Sequence, residues 1–568
     1  MAPKTLRGYD VAPRYGPTSG TVERGLHGVV ATLPTAGVVA LDGPEIAPWQ
    51  GFVADVVRAL GDRGIPTTVR DVRDSFLPWP KIVELTSSAL LEDDPDFDSL
   101  ADGALQDLFQ ERPAVPAGPG VTVVFGPGAA LVEHDVLWYV DLPKRYAEAA
   151  VVTGSGTNLG QRQAAGDATT KRLFYVDWPL LDRHRDAIAP RVDRWFDVQH
   201  DGGATSLSGD DFRATIETLS RRPFRTLPTF NATPWGGHWA QHELGMNPGA
   251  TNTALGYELI APESGILVGD AANAVEVPFQ LVVALHPSAI LGPAVHETFG
   301  TSFPVRFDYL DTVGGGHLSV HLHPQSDYMR DVFGWPYTQH ETYYMMVGGP
   351  DRPVFLGLHE DADVDTFRAA AEAAANHGVA FDIERFVQSF PASQHQLFLI
   401  PAGTPHGSGA GNVVLEISAT PYLYSLRFYD WLRGDAAGVQ RPVHVRHAFE
   451  NLNTVRRGAA VAAELVPDPV TLRADTGWSE ELLGRRPEMF FEVRRIVLDA
   501  GACVPDDTAG RFHVLNVVDG DGVTLMTHDG HAHDLAYAET LVVPAAVGPY
   551  ELTAAGQRGA RVVKALVQ

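Results

Sequence analysis

The hydrophobic rhythm of this chain changes near residue 226, and that change constrains the fold more than any other feature. Before it, short β-branched runs alternate with segments of helical spacing; after it, short strands, glycines and aromatics dominate. The first texture predicts a parallel α/β sheet, the second a mostly β structure. Residues 37–42 (GVVALD) read as a strand, followed by a helix with Val53, Val56, Val57 and Leu60 on one face and a stop at Gly64. Runs 121–125 (VTVVF) and 135–140 (DVLWYV) supply further strands. Beyond residue 226 one helix is expected, capped by Asp363 or Asp365, running around Phe367 to Ala375 and ending near Gly378. Runs 513–517, 541–543 and 560–567 predict a second small β-barrel. A chain of 568 residues exceeds one core. The expected division is a flexible arm over 1–25, an α/β region over 26–225, a β domain over 226–435 and a second over 436–568.

Charge narrows the partners. With 43 Lys plus Arg against 70 Asp plus Glu, a formal charge of -27 repels a phosphate backbone, so nucleic acid is not expected. The single cysteine, Cys503, excludes an intrachain disulfide and a cysteine zinc site, and a reducing cytoplasm fits. The most apolar stretch, 277–295, is interrupted by Pro278, Gln280, His286, Pro287 and Pro293, which argues against a membrane span.

Within the β half, SVHLHP at 319–324 places His321 and His323 two apart, on one face of a strand. PAGTPH at 401–406 is a turn that delivers His406 at the start of the run 413–418. YTQHETYY at 337–344 adds Glu341, with His340 as the competing ligand. Three imidazoles and one carboxylate suit Zn, Fe, Mn or Ni, with open positions for a ligand. An HxH strand with a later PxGxxH hairpin is the pattern of metal-binding cupins. His317 and His359 are read as solvent-facing or supporting residues.

Together with PWGG at 234–237, Phe303-Pro304 leading to Leu310 and Asp311, LSVHLHP at 318–324, PAGTPHGSGAG at 401–411, LEIS at 415–418 and RFYDW at 427–431, this segment resembles the class I mannose-6-phosphate isomerases. The resemblance implies two cupin barrels and a zinc-dependent aldose-ketose isomerase acting on a sugar phosphate. It makes His321, His323, Glu341 and His406 the metal ligands. Arg427 becomes the active-site arginine, which stabilises an enediolate or clamps a phosphate, and His340 is a candidate base. Two departures stand out: the family's lysines fall at Asp308 and Gln339, with Arg306 or His340 as possible compensation. An unphosphorylated sugar substrate, or a non-catalytic sugar sensor, are the alternatives.

The α/β region resembles a P-loop nucleoside kinase, with LDGPEIAPWQGF at 41–52 at the phosphate loop. Gly43 matches, but Pro48, Trp49 and Gln50 stand where glycine, lysine and the magnesium-binding hydroxyl belong. The expectation is a degenerate kinase-like region that binds sugar or nucleotide without phosphorylating it, or serves as an interface. No residue is assigned to an organic cofactor.

Overall fold

The computed structural model describes residues 8–111, 118–162, 168–200, 203–421, 423–435 and 438–568. Its N-terminal sheet contains β1 (Gly37–Asp42), β2 (Thr67–Asp71), β3 (Val121–Phe125), β4 (Val136–Asp141), β5 (Arg194–Asp197) and β6 (Thr205–Ser208). The parallel strands lie in the order β2-β3-β1-β4-β5, and antiparallel β6 and Glu23–Arg24 extend the sheet beyond β5. Central strands β1 and β3 are apolar because helices cover a parallel sheet on both faces. Helix α1 (Trp49–Asp62) buries Trp49, Phe52, Val53, Val56 and Leu60 against one of them.

Two facing antiparallel sheets follow. The strands are β7 (Thr229–Asn231), β8 (Leu255–Leu259), β9 (Val305–Asp311), β10 (Val320–Leu322), β11 (Glu341–Val347), β12 (Gly349–Leu358), β13 (Val387–Ala392), β14 (Leu397–Ile400), β15 (His406–Ser408), β16 (Val413–Ala419) and β17 (Leu426–Tyr429). One sheet has the order β14-β11-β16-β9-β8-β7, the other β13-β12-β15-β10-β17. The expected helix is present as Val364–His377, capped by the Asp363 side chain and closed by Gly378 at φ +63°.

A second pair of sheets, six and four strands, begins at Val470 and includes the expected strands His513–Gly520, Thr540–Val543 and Ala560–Val567. It packs on the outer face of the six-stranded sheet of the first pair, where the Tyr309 hydroxyl donates to the Ala538 carbonyl at 2.8 Å. The 277–295 stretch is broken into short helices, and among the described residues no helix is long and apolar enough to cross a membrane.

The flexible-arm expectation fails for residues 8–25; residues 1–7 lie outside the described residues. Arg14–Tyr15 pairs with Gly265–Gly269, and the Tyr15 hydroxyl accepts from Arg225 N–H at 2.6 Å. Nearby, the Arg225 guanidinium meets Glu539 at 2.6 Å and Glu258 at 3.7 Å, with Tyr9 donating to Glu258. All three charged groups are essentially without solvent contact. Buried charges persist only when paired, so this cluster ties the chain start, the α/β region's end and both β units together.

Candidate metal centre

The centre is built from both sheets of the first β pair. His321 lies on β10 directly opposite His406 on β15, and His323 follows β10 on the same face. Glu341 opens β11 in the facing sheet. Ligand atoms of His321, His323, Glu341 and His406 all lie within 4.8 Å of one another, and all four residues are buried. The imidazole centroids of His321 and His406 are 4.4 Å apart, and His323 Nε2 is 2.5 Å from Glu341 Oε2.

Backbone carbonyls orient the rings. Nδ1 of His321 meets the Ser319 carbonyl at 3.0 Å, Nδ1 of His406 the Thr404 carbonyl at 2.9 Å, and Nδ1 of His323 the Tyr424 carbonyl at 3.3 Å. Each contact puts the proton on Nδ1 and leaves Nε2 as the donor toward a cation, the usual support of a metal-bound histidine. Burial lowers His321 well below the ordinary imidazole value, helped by neighbouring His406 and His323. Burial opposes the Glu341 charge, but His406 and His323 outweigh it and hold that carboxyl well below its ordinary value. His406 Nε2 is buried and faces Glu341 Oε2 at 3.3 Å. Three imidazoles and one carboxylate form a group suited to holding one divalent ion.

Of the remaining predicted residues, Arg427 sits on β17 opposite His321. Its guanidinium bonds the Pro442 carbonyl at 3.1 Å, and burial beside Arg441 lowers it to about 10. His340 is not part of the group. It precedes Glu341 on an extended segment, its Nδ1 accepts the Ala402 N–H at 3.2 Å, and its ring approaches Phe490. The alternation of side chains along a strand explains why one neighbour joins the group and the other does not. His317 Nδ1 accepts Ala410 N–H, and His359 Nε2 meets the Glu384 carbonyl.

Sequence reading missed the polar layer beside the group. Arg306, Ser418 and Glu341 stand opposite one another across β9, β16 and β11, and Asp308, Glu416 and Tyr343 form the next row. Arg306 hydrogen-bonds Glu416 and Ser418, and lies 3.6 Å from Asp308. Burial raises Asp308 to about 7. The signal was available: Arg306 and Asp308 alternate with Val305, Phe307 and Tyr309, marking an inward polar face.

Comparison with known proteins gives three kinds of likeness. Residues 25–221 match a family described as a domain of unknown function (DUF8485). The chain is 26% identical over 238 residues to the mannose-6-phosphate isomerase of Streptococcus mutans, covering 41% of this chain and 68% of that protein. It is 22% identical over 340 residues to mannose-6-phosphate isomerase ManA of Bacillus subtilis, covering 59% of this chain and 96% of that one. Solved structures with similar features include the mannose 6-phosphate isomerase from Bacillus subtilis, with TM-score 0.48, 17% identity, and coverage of 61% of this chain and 99% of that one. A zinc-bound mannose 6-phosphate isomerase gives TM-score 0.46 and 15% identity, covering 61% and 99%.

The phosphate-loop position lacks the features of a phosphate cradle. Trp49 fills it, its Nε1 donating to the Pro44 carbonyl at 3.1 Å, and a Cβ on Gly43 would stand 2.2 Å from the Val140 carbonyl oxygen. The buried Glu45 carboxyl follows, 2.8 Å from Arg73 and pushed up to about 7 by burial. An indole and a carboxyl occupy the place where amides and a lysine bind phosphate.

Proposed function

We propose that this protein is a metal-dependent aldose-ketose isomerase, interconverting mannose 6-phosphate and fructose 6-phosphate or a related sugar. The observation that carries the reading is the buried group of His321, His323, Glu341 and His406, with all three imidazoles aimed by backbone carbonyls. Sequence likeness to curated mannose-6-phosphate isomerases supports it. The donor set favours zinc.

Isomerisation removes a proton from carbon 2 and returns one at carbon 1 through an enediolate. A divalent ion held by the four residues supplies Lewis-acid stabilisation of the developing negative oxygen. Arg427, paired with His321 across neighbouring strands, would stabilise the same charge or an anionic substituent. Asp308 is our candidate proton carrier in place of His340. It shares the inward face with the group, its Oδ1 has no hydrogen-bond partner among the described residues, and its value near 7 suits transfer in both directions.

The domain division is part of the proposal: a degenerate kinase-like domain over 26–225, a metal-binding cupin domain over 226–435 and a second cupin-like domain over 436–568. The order β2-β3-β1-β4-β5 supports the first assignment, and the Trp49 plug supports its degeneracy.

The test is to measure bound metal and follow carbon-2 proton exchange in mannose 6-phosphate and mannose by NMR, with and without chelator. Exchange that disappears with the metal is expected. Absence of exchange with both sugars in metal-loaded protein would refute the reading for these substrates.

A further inference from the structure

Between the first β pair and the α/β region lies a cleft of about 710 Å³, within the range of small-molecule sites. Its wall on one side is Tyr257 of β8 and Arg427 of β17. Both border the polar interior: Arg427 is opposite His321, and Tyr257 is opposite Asp308. The other wall belongs to the α/β region, with Arg145 and Glu148 of helix α2 (Lys144–Val152), Lys171, and the rings of Phe174 and Tyr175.

That second wall is fixed in place. Asp94 meets His447 at 2.7 Å, Ser99 donates to the Val332 carbonyl at 2.5 Å, and Arg145 forks onto both Glu276 oxygens at 2.6 Å. Phe97 stacks on Tyr424 with centroids 6.1 Å apart, and the Tyr424 carbonyl holds His323. One residue separates the α/β region from a proposed metal ligand.

The charges of the cleft are mixed. Lys171 donates to the Asp94 carbonyl at 2.6 Å and the Leu91 carbonyl at 3.3 Å, and pairs with Asp98 at 3.8 Å along the edge of the cleft. Glu148 faces the same space, raised by burial, and Glu263 beside it is raised to about 7 by burial and by Glu148. A lysine, an arginine, carboxyls and aromatic faces are the chemistry that reads a polyhydroxylated ring by charge-assisted hydrogen bonds and stacking. The barrel lacks lysine at Asp308 and Gln339, whereas the α/β wall presents one.

The geometry points to a composite recognition site in which the α/β region, through Lys171 and Glu148, binds the metal-distal end of a sugar whose reacting carbons face Arg427. This deepens the isomerase reading and rests on it for the identity of the metal-proximal end. The α/β region thereby determines specificity without performing any phosphoryl chemistry.

The experiment compares metal-loaded full-length protein with Lys171→Ala, Lys171→Arg and Glu148→Gln, using calorimetry and carbon-2 exchange on mannose 6-phosphate and mannose. Lys171→Ala and Glu148→Gln should raise Kd and KM about tenfold, the loss of one charged hydrogen bond. Metal content, melting temperature and kcat should stay close to wild type, and Lys171→Arg should recover part of the loss. A rise confined to the phosphorylated sugar assigns Lys171 to an anionic end, and a rise with both assigns it to a hydroxyl; each supports the composite site. Unchanged Kd and KM in both loss variants overturn it, as does failure of the wild type to bind either sugar. Binding without proton exchange would instead defeat the isomerase reading, and the Kd comparison would still decide the wall.

Discussion

The two β pairs have similar architecture and differently furnished interiors. Between the sheets of the first lie His321, His323, Glu341, His406, Arg306, Asp308 and Glu416, every one buried. The interior of the second joins an apolar core of Leu515, Val517, Leu525, Leu541, Leu552 and Val562 to one buried ionic cluster, in which Lys564 meets Glu480 at 2.7 Å and Asp506 at 2.5 Å. A double-sheet scaffold therefore leaves function open, and the inward positions decide whether the interior is a site or a filler. The polar interior is destabilising unless its charges are matched. The apolar positions of the second contribute transfer free energy, and its single ionic cluster is matched within itself.

The largest effect expected from breaking this contrast is in the first pair: His406→Ala should abolish both metal retention and turnover, measured by metal analysis and sugar NMR. Normal metal content in that variant would remove His406 from the centre. Next, Glu539→Ala strips the nearer of two acidic partners from buried Arg225 and should cost about 3–5 kcal/mol by denaturant titration, with melting of all regions shifted together. In the second pair, Leu541→Ala should cost about 2–5 kcal/mol and leave the metal in place. A loss of metal there would mean that the two interiors are not independent.

The smallest effect concerns His340. Burial pushes it down to about 4. In the unfolded chain it takes its proton near pH 6.5. Folding therefore excludes a proton that the unfolded state binds, and stability falls as the pH drops from about 6.5 toward 4. His340→Gln should flatten that slope while keeping metal and most turnover. Loss of turnover with metal retained would restore His340 as the base.

How much was legible in the sequence follows from the range of each signal. His321-x-His323 and the Pro401-to-His406 turn are local patterns whose strand and turn geometry fixes side-chain direction, so they marked the centre directly. The alternation of helix and strand marked the α/β region equally well, because strands β1, β3 and β4 carry apolar runs. The choice between His340 and Glu341 needed the strand's facing, which one residue of register reverses. Asp308 read as a lost lysine, since its inward neighbours Glu416 and Arg306 come from positions whose pairing is set by sheet register. The cleft was invisible for the same reason: Lys171 and Arg427 belong to distant stretches of the sequence and meet only in the folded chain. The early residues read as unstructured because Tyr9 and Tyr15 find their partners, Glu258 and Arg225, more than 200 positions away.

The shared cluster at Arg225 sets a limit on how this chain can be divided. Cutting just after Arg225 would strand two acidic side chains, Glu258 and Glu539, in a dry seam with no counterion, while the fragment ending there would carry a guanidinium with nowhere to go. Evolutionary shuffling or laboratory trimming at this joint must therefore replace all three ionised groups at once, which makes the ensemble of parts heritable as a single unit.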